Sequence, residues 1–144
     1  MERSPELQEM IVDWWHAFSR GDGSWFERHV SRGAAVRLAG TDSNEWLEGQ
    51  RVGEFLKGAV EALGGTLKIS PGEPVAFREG NVGWGNTRPT LTLPGGNEVN
   101  FRWSAVFRRD DGKWKAVQIH ASVAIPDEEL LGTPGLIADR RGSS

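Results

Sequence analysis

Cysteine and tyrosine are both absent from this chain. Without cysteine there is no disulfide framework, no thiolate zinc site and no Cys nucleophile. A basic excess is missing as well. The net charge is -3, which argues against a nucleic-acid partner, because phosphate binding calls for clear positive charge. No run is long and apolar enough to span a membrane. Met1-Glu2-Arg3-Ser4-Pro5 leads into an amphipathic pattern without a signal-peptide core. The expectation is a soluble, cytoplasmic protein. The three histidines and the acids lack a metal spacing such as His-x-x-x-His. A Gly-x-Ser-x-Gly elbow is missing too. Gly83-Trp84-Gly85 falls inside an expected strand, not between a strand and a helix, so it is no phosphate loop. Neither metal nor cofactor is expected.

What is present is apolar and aromatic. With 144 residues and 38% hydrophobic content, the chain can bury the core of one domain. Seven tryptophans stand out in so short a chain. Trp brings large flat apolar area and a single N–H donor. Such a set builds either a Trp-rich core or a pocket lined with indoles.

The N-terminal part reads as helical. Residues 4–20 have Ser4 as a cap, Pro5 at the first helical position and Glu6 at the positive end of the dipole. Leu7, Ile11, Trp14 and Phe18 recur at helical spacing, flanked by Met10 and Trp15, until Gly21 stops the helix. Ser24-Trp25-Phe26-Glu27 reads as a capping box for a short helix from Trp25 to about Val30. Residues 35–38 look like a short strand, followed by a polar loop, 40–45, and Trp46. Residues 51–63 form the clearest helix, with an apolar stripe of Val52, Phe55, Leu56, Ala59, Val60 and Leu63.

Beyond Gly64-Gly65 the pattern changes to strands at 66–70, 74–78 and 82–93. The last is expected to break or bulge near Arg88-Pro89, since Pro cannot donate to a ladder. Residues 101–126 then read as a long hairpin. A three-residue turn, Asp110-Asp111-Gly112, would pair Arg109 with Lys113. In that register Phe107 faces Lys115, Ala105 faces Val117, Trp103 faces Ile119 and Phe101 faces Ala121. Odd-numbered side chains then form the apolar face and look toward the helices; Arg102, Ser104, Trp114, Gln118 and His120 look away. Domain 1–126 is followed by a Gly-, Pro- and charge-rich segment, 127–144, expected to be a poorly ordered tail.

Three helices followed by antiparallel strands make an α+β pattern, a sheet with helices on one face. Three stretches then resemble a known family. They are Ala17-Phe18-Ser19-Arg20-Gly21-Asp22, the loop Gly40-Thr41-Asp42 through Glu45-Trp46-Leu47-Glu48-Gly49, and the run from Asp111-Gly112-Lys113-Trp114 to Val123. The chain resembles the nuclear transport factor 2-like superfamily, and within it the SnoaL-like branch, over about residues 6–127. The resemblance implies a cone-shaped α+β domain. Three N-terminal helices pack on the concave face of a strongly curved, mostly antiparallel sheet, and the domain usually dimerises through that sheet. The superfamily includes ketosteroid isomerase, scytalone dehydratase, limonene-epoxide hydrolase, polyketide cyclases and kinase association domains. It also includes many members with no known reaction, so fold does not give function. The acid of the SnoaL-type cyclases has no counterpart on the closing strand of this chain, where the inward positions read apolar.

The site expectations follow from this geometry. Trp14, Trp15, Phe18, Phe55, Phe101, Trp103, Phe107, Val117, Ile119 and Val123 are expected as core or pocket wall, with Trp15, Trp46 and Trp103 bordering a cavity. Trp84 is a further wall candidate. Arg37 and Arg88, beside aromatic positions, are candidate anchors for a ligand carboxylate, or surface residues with their stems on apolar neighbours. Asp42 and His120 are the catalytic candidates. Asp42 and Glu45 are the carboxylates of a Gly-flanked loop at the expected mouth of the cone; Asp42 forms a local turn or, desolvated, a general base, and Glu45 is expected to be solvated. Histidine is the usual side chain for acid–base work, but this register puts His120 beside Arg102 on the face that looks away from the helices, as part of a polar cluster at a dimer interface; a bulge would carry it into the pocket. Three functions compete. One is a protein that binds a small, mostly apolar molecule. Another is an isomerase-, cyclase- or hydrolase-type enzyme, and the third is an assembly module with an incidental cavity.

Overall fold

The computed structural model describes residues 1–133. The chain order is β1 (Glu2–Arg3), α1 (Pro5–Arg20), α2 (Gly23–His29), β2 (Arg37–Ala39), β3 (Trp46–Glu48) and α3 (Gln50–Leu63). It continues with β4 (Lys68–Ser70), β5 (Val75–Glu79), β6 (Val82–Thr87), β7 (Thr90–Thr92), β8 (Glu98–Asp110), β9 (Lys113–Val123) and α4 (Asp127–Leu131). The sheet runs β1-β5-β6-β8-β9-β2-β3, with β7 against the start of β8 and β4 beyond β7. All pairs are antiparallel except β2 with β9, which run parallel. The helices lie on one side of this curved, unclosed sheet, the cone-shaped α+β architecture expected. Of residues 127–144, the described part holds the exposed helix α4; residues 134–144 lie outside the described residues.

Local chemistry sets the helix ends. The Ser4 hydroxyl accepts from the Leu7 N–H, Pro5 opens α1, and Gly21 closes it in the left-handed conformation. The cap of α2 is Asp22, not Ser24. The Asp22 carboxylate accepts from the Trp25 N–H, and the Ser24 hydroxyl donates to it instead of capping. That bond from Ser24 is the main reason why the Asp22 carboxyl titrates below its usual range, with Arg20 and the Trp25 N–H adding to it. The strand expected over 82–93 is interrupted at Arg88-Pro89, giving β6 and β7.

The final hairpin differs from expectation in two places; together they restore the expected faces but move the expected partners past the bulge by two residues, so that Trp103 meets Ala121 and not Ile119. Its turn has two residues, not three: Asp110 pairs with Lys113, while Asp111 and Gly112 take positive φ values of 51° and 75°. This shift of one residue turns Trp114 and Ala116 inward, opposite the parity expected for them; both are buried. The ladder then slips between Val106 and Phe107. Phe107 pairs with Ala116 but Val106 pairs with Gln118, leaving Val117 as the extra residue of a bulge. Past it the parity is the one expected. Trp103 is opposite Ala121, Ala105 opposite Ile119, and Ser104 opposite His120. Two expected wall residues are corrected: Val117 is half-buried in the bulge, and Val123 is exposed at the strand end.

The core fills the space between helices and sheet. Trp14 sits at its centre, with ring centroids 4.9 Å from Phe26 and 5.0 Å from Trp103. Helix α1 approaches β6 closely because that strand presents glycine inward. A Cβ on Gly83 would collide with Leu7 Cδ1, and one on Gly85 would lie 2.6 Å from Ile11 Cδ1. Leu38 of β2 adds the next inward row beside Ile119, with Leu47 of β3 beyond it.

Candidate functional site

Between α1, α3 and the inner face of the sheet the side chains leave a cavity of about 200 Å³. Helix α1 supplies Trp14, Trp15 and Phe18, and α3 supplies Phe55, Leu56, Ala59 and Leu63. The sheet supplies Leu38, Leu91, Phe101, Trp103, Ile119 and Ala121, with Leu67 just ahead of β4. The helical spacing that made α1 and α3 amphipathic thus points their large side chains into one volume. Trp15 stacks on Phe18 at 5.9 Å and meets Trp103 edge-on at 6.0 Å. Its indole N–H is buried with no acceptor among the described residues.

Apart from the Trp15 indole, the polar groups that the described residues bring to this cavity come from the β2–β3 loop, through Gly40, Thr41 and Glu45. The loop is tied by the Gly40 N–H donating to the Glu45 carbonyl and the Glu45 N–H donating to the Asp42 carbonyl. The Glu45 side chain lies directly over Gly40, in the space that a Cβ there would need. It is half-buried, and its carboxylate has no hydrogen-bond or ion-pair partner among the described residues. No Lys, Arg or His among the described residues lines the cavity.

Seven of the expected site residues therefore come together: Trp14, Trp15, Phe18, Phe55, Phe101, Trp103 and Ile119. The others lie elsewhere. Phe107 is fully buried toward the hairpin turn, outside the cavity. Asp42 is exposed, and its carboxylate accepts from the Asn44 N–H in a local turn. Trp46 is 81% exposed on the edge strand β3. Arg37 is exposed on β2 and donates to the carbonyls of Ala34 and Val36. His120, Arg88 and Trp84 lie on the sheet's outer face. His120 and Arg88 share a hollow there with Glu73, Arg102 and Ser104, and Trp84 stacks on Phe77 at 6.5 Å. Glu45, the second carboxylate of the expected mouth loop, was expected to be solvated and is half-buried against the cavity instead. The signal that could have found it was Gly40, which leaves room for a folded-back side chain, and Leu47, which packs the loop down.

Among the described residues no group of three or more His, Asp or Glu is placed to hold a metal ion. No helix among them is long and apolar enough to cross a membrane.

Residues 7–126 match the SnoaL-like domain family. No curated protein matches the chain in sequence. Solved structures do resemble it. A candidate ketosteroid isomerase from Parabacteroides distasonis is 20% identical with a TM-score of 0.65, covering 85% of this chain and 91% of its own. A candidate calcium/calmodulin-dependent protein kinase II association domain from Xanthomonas campestris is 20% identical with a TM-score of 0.62, covering 86% and 95%. A nuclear transport factor 2-like protein of unknown function from Pseudomonas putida reaches a TM-score of 0.70 at 11% identity, covering 88% and 93%. At these identities the likeness is one of fold.

Proposed function

This chain belongs to the SnoaL-like domain family, and from that premise we propose that it binds a compact, mostly apolar small molecule in the aromatic cavity. One observation carries the reading. Trp14, Trp15, Phe18, Phe55, Trp103 and Ile119 surround open space on the inner side of the sheet, beside the buried core. At about 200 Å³ the cavity falls below the roughly 300–1,000 Å³ of sites for drug-sized ligands, so a single ring or short branched chain fits best. Binding is favoured over catalysis because neither Asp42 nor His120 borders the cavity, and the wall holds one carboxylate with no second acid or base beside it. Cytoplasmic location belongs to the same reading, supported by the absence of cysteine.

Homodimerisation through the outer face of the sheet is part of the proposal. Phe77, Trp84 and Val106 lie side by side there on β5, β6 and β8, all half-buried. The similar structure from Xanthomonas is named an association domain, which supports assembly as a use of this fold.

Toluene is a suitable neutral probe for the cavity. Ligand-observed NMR should detect saturable binding to the full chain. Ala121→Leu, which fills the cavity from β9, should abolish it while the protein still melts cooperatively. Equal toluene signals with both proteins would defeat the reading.

A further inference from the structure

The charge around the cavity is one-sided. Six aromatic rings, from Trp14, Trp15, Phe18, Phe55, Phe101 and Trp103, line it. Each carries negative potential on its faces. Among the described residues, the only formal charge in the wall is the Glu45 carboxylate. The arginines that would anchor an anion are elsewhere, Arg37 on its own carbonyls and Arg88 in the outer hollow. The indole N–H of Trp15 offers a partial positive charge against a full negative one.

Resting on the binding reading above, we propose that the cavity selects a small hydrophobic amine in its protonated form, its ammonium held by Glu45 and its apolar body among the indoles. The position of Glu45 makes this feasible. An ammonium carried into the dry interior would lose its hydration without enough return. Glu45 is half-buried in the loop, so the charged end stays beside water while the ring enters. None of the described residues donates to its carboxylate, and Gly40 leaves the room in which it folds back. An anionic analogue would bring its carboxylate against Glu45 and the ring faces with no cation to meet it. A neutral alcohol would donate to Glu45 without the charge–charge attraction.

The test compares three probes of similar size and shape: 2-phenylethylamine, 2-phenylethanol and phenylacetate. Titrations of the full-length protein, followed by calorimetry or tryptophan fluorescence, should rank amine first, alcohol second and acid last. The amine should bind roughly tenfold tighter than the alcohol, as a charge-assisted contact provides. In Glu45→Gln the amine and alcohol should converge to within about threefold, with an unchanged melting temperature showing that the fold is intact. Three results overturn the inference: similar affinity for all three probes, tightest binding of phenylacetate, or an amine preference that survives in Glu45→Gln. So does binding of toluene with none of the three probes held, which leaves the cavity a ligand site but not one for amines. Failure of toluene as well removes the binding reading itself.

Discussion

The inner and outer faces of this sheet are made by the same strands, residue by residue in alternation, yet they hold their apolar side chains differently. On the inner face of β8, Trp103, Ala105 and Phe107 are at most 4% exposed, covered by helices. On the outer face of the same strand, Arg102, Ser104 and Arg108 are exposed and Val106 is half-buried. The tryptophans divide in the same way. Trp14, Trp15, Trp25, Trp103 and Trp114 are buried, while Trp84 is half-buried and Trp46 is open to solvent. A large aromatic residue in this chain therefore says nothing by itself about core or surface. Strand parity decides which it is, and parity rests on the turn and the bulge.

The strongest challenge to that comparison is to truncate one aromatic on each face. Phe107 has no exposed surface and sits against Gly83 of β6 across the ladder. Phe107→Ala removes buried area and leaves a hole that the close-packed surroundings cannot fill. It should cost about 3–5 kcal/mol in chemical denaturation. Trp46→Ala, on the outer side of an edge strand, should change stability by no more than about 0.5 kcal/mol. Equal losses would mean that Trp46 is packed in solution and the two faces are not distinct.

The sequence revealed those elements whose signals are local. Ser4-Pro5 and Gly21 bound α1, the apolar stripe marks α3, and Arg88-Pro89 breaks the sixth strand, because caps, periodicity and proline act through neighbouring residues. The parity of the hairpin was readable only in part. A two-residue turn and a bulge at Val117 each shift the register by one. Together they return Trp103, Ile119 and His120 to the faces expected, while Trp114 and Val117, between the two shifts, depart from them. Nothing in the composition of Lys115-Ala116-Val117-Gln118 announces the bulge, which depends on how β9 meets both β8 and the parallel strand β2. The cavity wall on α1 and α3 was legible from helical spacing. Glu45 was not, since its place depends on a loop packing across the end of β2 and over Gly40, contacts that no periodicity encodes.

A second challenge adds material to the inner face instead of removing it. Gly85 lies within β6, where valine would ordinarily favour a strand. Here its Cβ would lie 2.6 Å from Ile11 Cδ1, 2.9 Å from the Val75 carbonyl oxygen and 3.1 Å from the Ala76 Cβ. The Ile11 methyl can rotate away; the Val75 carbonyl is backbone and cannot. Gly85→Val should therefore destabilise the protein by about 1–3 kcal/mol, the usual penalty for overpacking, against its strand propensity. A gain in melting temperature would show that α1 stands further from β6 than this packing requires.

The smallest effect on the fold should come from the outer face, and there the readout is assembly. Val106 is half-buried between Trp84 on β6 and Gln118 on β9. Val106→Arg places a charge at the centre of the proposed dimer surface while leaving the inner core untouched. The monomer's stability should move by about 0.5 kcal/mol or less, as for other substitutions outside the core. Sedimentation should nonetheless shift from dimer to monomer, because an unpaired charge in a closed apolar contact costs several kcal/mol. His120→Ala, in the hollow next to this strip, should weaken the dimer less and leave toluene binding in the cavity unchanged. If Val106→Arg stays dimeric, the two copies meet elsewhere, and the half-buried row of Phe77, Trp84 and Val106 is simply the tolerated apolar part of a solvated sheet face.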